Sequence, residues 1–240
     1  MRLIDTHSHL FLEEFSEDFP QVIERARAAG VTHIFMPNID STTIEAMLSA
    51  CSVYKGYCFP MIGLHPTSVN DNYEKELEIV ARELKFSKEY VAIGEIGMDL
   101  YWDKTYLKEQ QIVLDKQVNW ALEYDLPIVI HCRDAFDYIY KVLEPYKKTP
   151  LRGIFHSFTG TAEEATRVLE FSDFFIGING VVTFKKSHLP EILAGIPLEK
   201  IVLETDSPYL TPVPNRGKRN ESAYVKDTLM TVSYTHLRAH

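Results

Sequence analysis

The first apolar stretch of the chain closes on Asp5-Thr6-His7-Ser8-His9. In an extended backbone alternate side chains share a face, so His7 and His9 can reach one cation together. Neutral imidazole nitrogen suits zinc, iron and similar divalent ions. Taken alone, such a pair is equally compatible with ordinary surface or core histidines. The weight therefore falls on where other ligand types occur.

They occur in a repeated design, in which a short apolar run stops at a residue able to bind metal or move a proton. Met61-Ile62-Gly63-Leu64 stops at His65-Pro66, Val91-Ala92-Ile93-Gly94 at Glu95, and Ile128-Val129-Ile130 at His131-Cys132-Arg133. Gly153-Ile154-Phe155 stops at His156, and Ile201-Val202-Leu203 runs into Glu204-Thr205-Asp206-Ser207-Pro208. Runs this short, β-branched and apolar on both faces, read as buried parallel strands. Each polar side chain then sits at the carboxyl end of a strand.

Helical periodicity fills the intervals at 19–29, 43–54, 74–86, 106–124, 136–146, 162–171 and 189–194. With further strands at 32–36 and 174–178, the chain reads as eight strand-then-helix units, the count that closes a TIM (β/α)8 barrel. A doubly wound open sheet is the competing α/β architecture, but it would scatter the ligand types along one edge. A closed barrel gathers all eight strand ends around one mouth.

A chain of 240 residues matches one barrel, and no Pro/Gly/Ser-rich linker divides it, so residues 1–232 are read as a single domain. Hydrophobic residues at 45% and charged residues at 25% are ordinary for a soluble enzyme with a substantial core. No apolar stretch approaches membrane-spanning length and the N-terminus enters a strand at once, which points to a cytoplasmic protein. Cys51, Cys58 and Cys132 have no zinc-finger spacing and fit reduced thiols. Cys132, next to His131, faces the packed side of its strand and is not read as a nucleophile. His33 and His188 lie outside any motif and are read as structural or exposed, while His236 and His240 receive no role. The net charge of −9 argues against a general nucleic-acid coating surface. It leaves room for a nuclease, because bound cations and a few local bases set the potential inside a cleft. Arg133 and the 214–219 loop, which carries Arg216, follow strands five and eight and are expected on the catalytic face, in reach of phosphate. Lys185-Lys186 is read as solvated loop charge.

Together with Asp5-Thr6-His7-Ser8-His9, five further segments resemble the successive signatures of the TatD family of metal-dependent deoxyribonucleases. They are Gly63-Leu64-His65-Pro66, Gly94-Glu95-Ile96-Gly97-Met98-Asp99, His131-Cys132-Arg133-Asp134-Ala135, His156-Ser157-Phe158-Thr159-Gly160 and Glu204-Thr205-Asp206-Ser207-Pro208. The match runs in order from Met1 to about Asp227, and six motifs in sequence are far more specific than any one. The resemblance implies an amidohydrolase-type TIM barrel, two divalent ions and exonuclease or related phosphodiesterase activity on DNA, single-stranded or at ends.

Carried over residue by residue, the resemblance makes His7 and His9 ligands of one metal, completed by Asp206. Glu95 bridges it to a second metal, held by His131 and His156. The mixed nitrogen and oxygen set suits zinc, manganese or iron, while the family resemblance implies magnesium as well. A water acidified by the cations would attack phosphorus, with Asp206 accepting or orienting its proton. His65 is assigned to phosphate contact or proton donation, Arg133 and Arg216 to phosphate binding, and Tyr101 or Trp102 to stacking on a base.

The chain departs from the family pattern in three places. Asn220-Glu221-Ser222 stands where Asn-Glu-Pro is common, and Cys132 stands where a small polar residue is frequent. After Leu229-Met230 the segment 233–240 shows no clear apolar face and is expected to be an atypical tail, truncated or foreign, leaving the eighth helix short and part of the barrel uncovered. Two other functions share these features. One is another hydrolase on the same barrel: an amidohydrolase on small esters or amides, a phosphotriesterase-like enzyme, or an aminoacyl-tRNA deacylase. The other is a non-catalytic metal-binding scaffold. Many barrel hydrolases bridge their metals through a modified Lys, whereas strand four here offers Glu95.

Overall fold

The computed structural model describes residues 1–239. Among these residues eight strands alternate with eight helices. The strands are β1 (Leu3–Asp5), β2 (Val31–Pro37), β3 (Cys58–Met61), β4 (Ile93–Asp99), β5 (Ile128–Arg133), β6 (Gly153–Phe155), β7 (Phe174–Ile178) and β8 (Ile201–Leu203). The helices are α1 (Phe19–Ala28), α2 (Ile44–Val53), α3 (Tyr73–Phe86), α4 (Leu107–Tyr124), α5 (Phe136–Leu143), α6 (Ala162–Val168), α7 (Leu189–Leu193) and α8 (Val225–Ala239). Each helix buries one stripe against the sheet: in α3 the buried residues are Leu77, Val80 and Leu84, spaced at three and four. Helix α6 begins with a capping box, Thr161 accepting from the Glu164 amide while Glu164 accepts from the Thr161 amide.

All pairings between neighbouring strands are parallel, in two continuous ladders, β1-β2-β3 and β4-β5-β6-β7-β8. Two seams close them into a ring. At one, Gly94 N donates to Ile62 O (2.9 Å) and Val91 N to Pro60 O (3.0 Å). At the other, Thr6 N donates to Leu203 O (3.1 Å), Asp206 N to His7 O (2.9 Å) and His9 N to Ser207 O (2.8 Å). Ile34, Ile62, Ile96, Ile130 and Ile176, from five different strand regions, are fully buried in one core. The result is the closed parallel barrel read from the sequence, with strand ends converging at one mouth.

Strand β4 departs from its apolar run. It continues through Asp99, because an extra residue between Ile93 and Ile96, set against Ile128 and Ile130 of β5, shifts the register. Such a bulge bends a strand and re-aims its side chains. Glu95 therefore lies inside the strand, not at its end. Gly97 is needed here: its φ is +139°, and a Cβ would overlap the carbonyl oxygen of His131.

Helix α8 takes in the C-terminal segment. Residues 233–239 continue the helix, and His240 lies outside the described residues. Val232 and His236 are buried, with His236 Nε2 at 3.2 Å from Ile196 O. An imidazole on the inner face thus does the packing that the hydropathy pattern could not signal, and α8 lies against α7, β1 and β8, the surface expected to be uncovered. Among the described residues no helix is long and apolar enough to cross a membrane.

Gly97→Ala is expected to lower the unfolding free energy by about 3 kcal/mol, from the combined strain of left-handed backbone and overpacking. Denaturant midpoints check this, and an unchanged midpoint would mean that β4 relaxes freely.

Candidate metal centre

The segment after β1 is held between two neighbours, Ser8 N donating to Phe35 O (3.0 Å) and His9 N to Ser207 O (2.8 Å). This extended path turns His7 and His9 to the same side, as alternate residues require. Their Nε2 atoms lie 3.2 Å apart. Beneath them Asp5 is buried and clamps β1 to the end of β8, accepting from Thr205 N (2.9 Å) and Thr205 Oγ1 (2.7 Å). Burial pushes the Asp5 carboxyl up to about 7, against the opposing hydrogen bonds from Ser222, Thr205 and His7.

Glu95 is the hub. Its Oε2 lies 3.1 Å from His7 Nε2 and 3.6 Å from His9 Nε2. Its Oε1 lies 2.9 Å from His131 Nδ1, 3.4 Å from His65 Nε2 and 3.6 Å from His156 Nε2. Asp206 approaches from the far side, with Oδ1 at 3.6 Å from His9 Nε2 and 3.8 Å from both His7 and His156. It does so in a left-handed conformation (φ +57°), held by its amide to His7 O and its carbonyl to Tyr209 N. A non-glycine residue fixed in this region is the kind of backbone cost that accumulates at functional sites.

Two carboxylates stand behind the histidines. Asp99 Oδ2 is 2.9 Å from His131 Nε2, which fixes that ring so that Nδ1 faces Glu95. Glu204 is fully buried, with Oε1 3.0 Å from His156 Nδ1 and accepting from Ser157 N. Gly177 leaves the room for it, since a Cβ there would come within 2.6 Å of Glu204 Oε2. Asp99 had a signal in the sequence: residues 95, 97 and 99 share one face of a strand. Glu204 had none beyond standing next to Thr205-Asp206.

The acids and imidazoles of the cluster set one another's charge. Burial disfavours the Glu95 anion, but His65, His7, His156 and His131 outweigh it and hold the carboxyl well below the usual range. Asp206 is held low in the same way, burial being overcome by His156, His9 and His7. Burial works against protonated His156 and His131, yet the surrounding acids win: Glu204, Glu95 and Asp206 raise His156 to about 10, and Asp99 and Glu95 raise His131 to about 9. His65 goes the other way, lowered by burial. Its Nδ1 accepts from Thr67 N (3.2 Å), so neutral His65 carries its proton on Nε2 and turns an N–H, not a lone pair, towards Glu95.

The donor set fits divalent cations. Three groups of side chains bring one ligand atom each within 4.8 Å of one another: His7, His9 and Glu95; His7, His156 and Asp206; His65, Glu95 and His131. Imidazole nitrogen and carboxylate oxygen in this mixture match zinc, manganese and related ions. The buried Nδ1 atoms of His7 and His9 have no hydrogen-bond partner among the described residues, while their Nε2 atoms face each other and Glu95.

The centre opens into a cavity of about 730 Å³, lined also by Arg133, Trp102 and Tyr209. Arg133 stacks over the Tyr101 ring at 3.9 Å and Trp102 at 5.4 Å, at the end of β5. Arg216 does not join them: it donates to Thr211 O (3.1 Å), lies 4.0 Å from the Phe184 ring and lines no part of this cavity. Cys132 packs against the core, and burial pushes its thiol up to about 12, so it stays protonated. His33 stacks on Phe59, and His188 is an exposed residue at the start of α7.

Histidines and carboxylates gathered at the mouth of a closed parallel barrel define a metal-dependent hydrolase. The chain belongs to the TatD related DNase family, whose model matches residues 4–237. It is 40% identical over 225 residues to the uncharacterized metal-dependent hydrolase YabD of Bacillus subtilis (strain 168), covering 93% of this chain and 87% of that protein. It is 32% identical over 237 residues to the 3'-5' ssDNA/RNA exonuclease TatD of Pantoea ananatis (strain LMG 20103), covering 96% and 90%. Among solved structures it superposes on YjjV, a TatD homologue of Escherichia coli, with a TM-score of 0.89 at 27% identity, over 99% of this chain and 96% of that one.

Protons on His131 and His156 must leave before these nitrogens can bind a cation. Cation affinity is therefore expected to rise with pH through the range up to about 10, with protons released on binding, seen by calorimetry as a heat that depends on the buffer. An affinity independent of pH would show that these rings do not take part. In the same titration Asp99→Asn is expected to weaken one cation by about 10–100-fold through loss of the His131 orientation.

Proposed function

We propose that the protein is a nuclease that hydrolyses phosphodiester bonds of DNA, acting as an exonuclease on single strands or ends, with two divalent cations, magnesium, manganese or zinc, held by His7, His9, Glu95, His131, His156 and Asp206. The observation that carries this reading is Glu95, whose two oxygens face different histidine groups, His7 and His9 on one side and His131 and His156 on the other. When bound, such a pair of cations supplies Lewis acidity and neutralises charge on the phosphoryl oxygens. The name of the Pantoea relative, an exonuclease on single-stranded DNA and RNA, supports the substrate class.

The chain's own groups divide the remaining work. Asp206 lies at the open side of the cluster and accepts or orients the proton of the attacking water. Neutral His65 is a poor acid but a good hydrogen-bond donor, so its Nε2–H binds a phosphoryl oxygen and leaves proton delivery to water. Arg133 stands at the cavity wall with its guanidinium fixed on Tyr101, and grips a phosphate that does not react. Trp102, 72% exposed beside it, offers a face for a base. Local cations thus counter the net charge of −9 where the substrate enters. Cys51, Cys58 and Cys132 are free thiols, which suits a reducing, cytoplasmic place of action.

The test uses protein stripped of metal, labelled single-stranded DNA and each divalent cation added back separately. Stepwise loss of terminal nucleotides is expected only with cation, and Glu95→Ala should lower kcat/KM by about a hundredfold or more. Hydrolysis of small esters or amides with DNA untouched would overturn the nuclease in favour of another barrel hydrolase.

A further inference from the structure

A second cavity, of about 940 Å³, opens beside the metal centre over the loops after β5, β6 and β7. The two cavities share Cys132, Arg133, His156, Thr159 and Val181, so they lie side by side with Arg133 lining both. Each is of the size that encloses one small organic ligand, about 300–1,000 Å³. A mononucleotide bound at the metals would leave the second one empty.

The lining of the second cavity is suited to a nucleotide. Its floor is apolar and rigid, with Phe155, Phe158 and Leu189 buried, and Tyr138 stands exposed at its rim. Two of its acidic side chains are already committed: Asp137 pairs with Arg167 (2.7 Å), and Glu164 holds the Thr161 amide (2.7 Å) in the cap of α6. The exposed cations Arg133 and Lys186 lie at different places, since Arg133 touches both cavities and Lys186 only the outer one. An apolar lining in a cavity that also carries two cations matches the needs of a base with phosphates on either side.

We infer that the outer cavity is a nucleotide subsite: it takes the base and sugar of the nucleotide one step beyond the one joined to the scissile phosphate. Arg133 holds the phosphate between the two nucleotides, and Lys186 holds the next one along the strand. This rests on the nuclease reading and adds to it a length requirement. A single strand at least three nucleotides long fills both cavities, whereas a small phosphodiester uses the inner cavity alone. Lys186, which reads as a solvated charge in the sequence, thereby gains a ligand.

The experiment compares wild type with Ala162→Trp, which fills the outer cavity from the exposed start of α6, and with Lys186→Ala, a surface change that leaves the fold alone. Each is assayed on a hexanucleotide and on bis(p-nitrophenyl) phosphate, with melting curves to confirm folding. Both variants are expected to raise KM for the hexanucleotide, Ala162→Trp by about tenfold or more, with turnover of the small diester changed by less than about twofold. Unchanged hexanucleotide kinetics, or equal losses on both substrates, would overturn the subsite. A wild type that cleaves the small diester but no oligonucleotide would instead remove the nuclease reading, and this shows before any variant is made.

Discussion

A buried carboxylate needs polar partners and positive charge around it, and Glu95 meets that need with five imidazoles, of which His131 and His156 carry the charge. Side chains from five strands have to arrive within a few ångströms of one point, so the closure of the barrel and the existence of the site are the same requirement. The bulge in β4 aims Glu95 inward, and Gly97 lets β4 pass close to β5 while it does so. Without the hub the histidines would have no common centre, and without the ring they would not meet.

The seam between β1 and β8 carries the other half of the arrangement. Asp5 ties β1 to Thr205, and Asn220 donates to Thr205 O (2.8 Å) and Tyr209 O (2.6 Å), fixing the turn that presents Asp206. Glu221 next to it receives a bidentate pair from Arg25 of α1 (2.9 and 2.6 Å). These buried polar contacts lie just beneath the ligand types, and their satisfaction by one another keeps the mouth rigid. Order at the site thus depends on residues that touch neither cation nor substrate.

Much of this was legible in the sequence because strands that are buried on both faces announce themselves as apolar runs, and the polar residue ending each run stands out. That pattern drew attention to the strand ends, the family resemblance picked out His7, His9, Glu95, His131, His156 and Asp206 among them, and the structure brings these six side chains close together. The boundaries of α3 and α4 followed from their 3.6 period. Less visible were features set by tertiary contacts. The bulge in β4 leaves no mark in hydropathy. Glu204 acts through the ring it orients, and a carboxylate behind a histidine looks like any other acid in a chain. Helix α8 packs through His236, a residue that no hydropathy pattern counts as core. Arg216 follows β8 as expected, but the carbonyl of Thr211 and the ring of Phe184 hold it away from the cavity.

We propose that Glu95 is shared between two cations. Anomalous diffraction from crystals grown with manganese or zinc tests it directly. Two peaks about 3.5–4 Å apart, with one oxygen of Glu95 next to each, are the predicted result. A single peak, or peaks at which Glu95 touches only one ion or none, would contradict it.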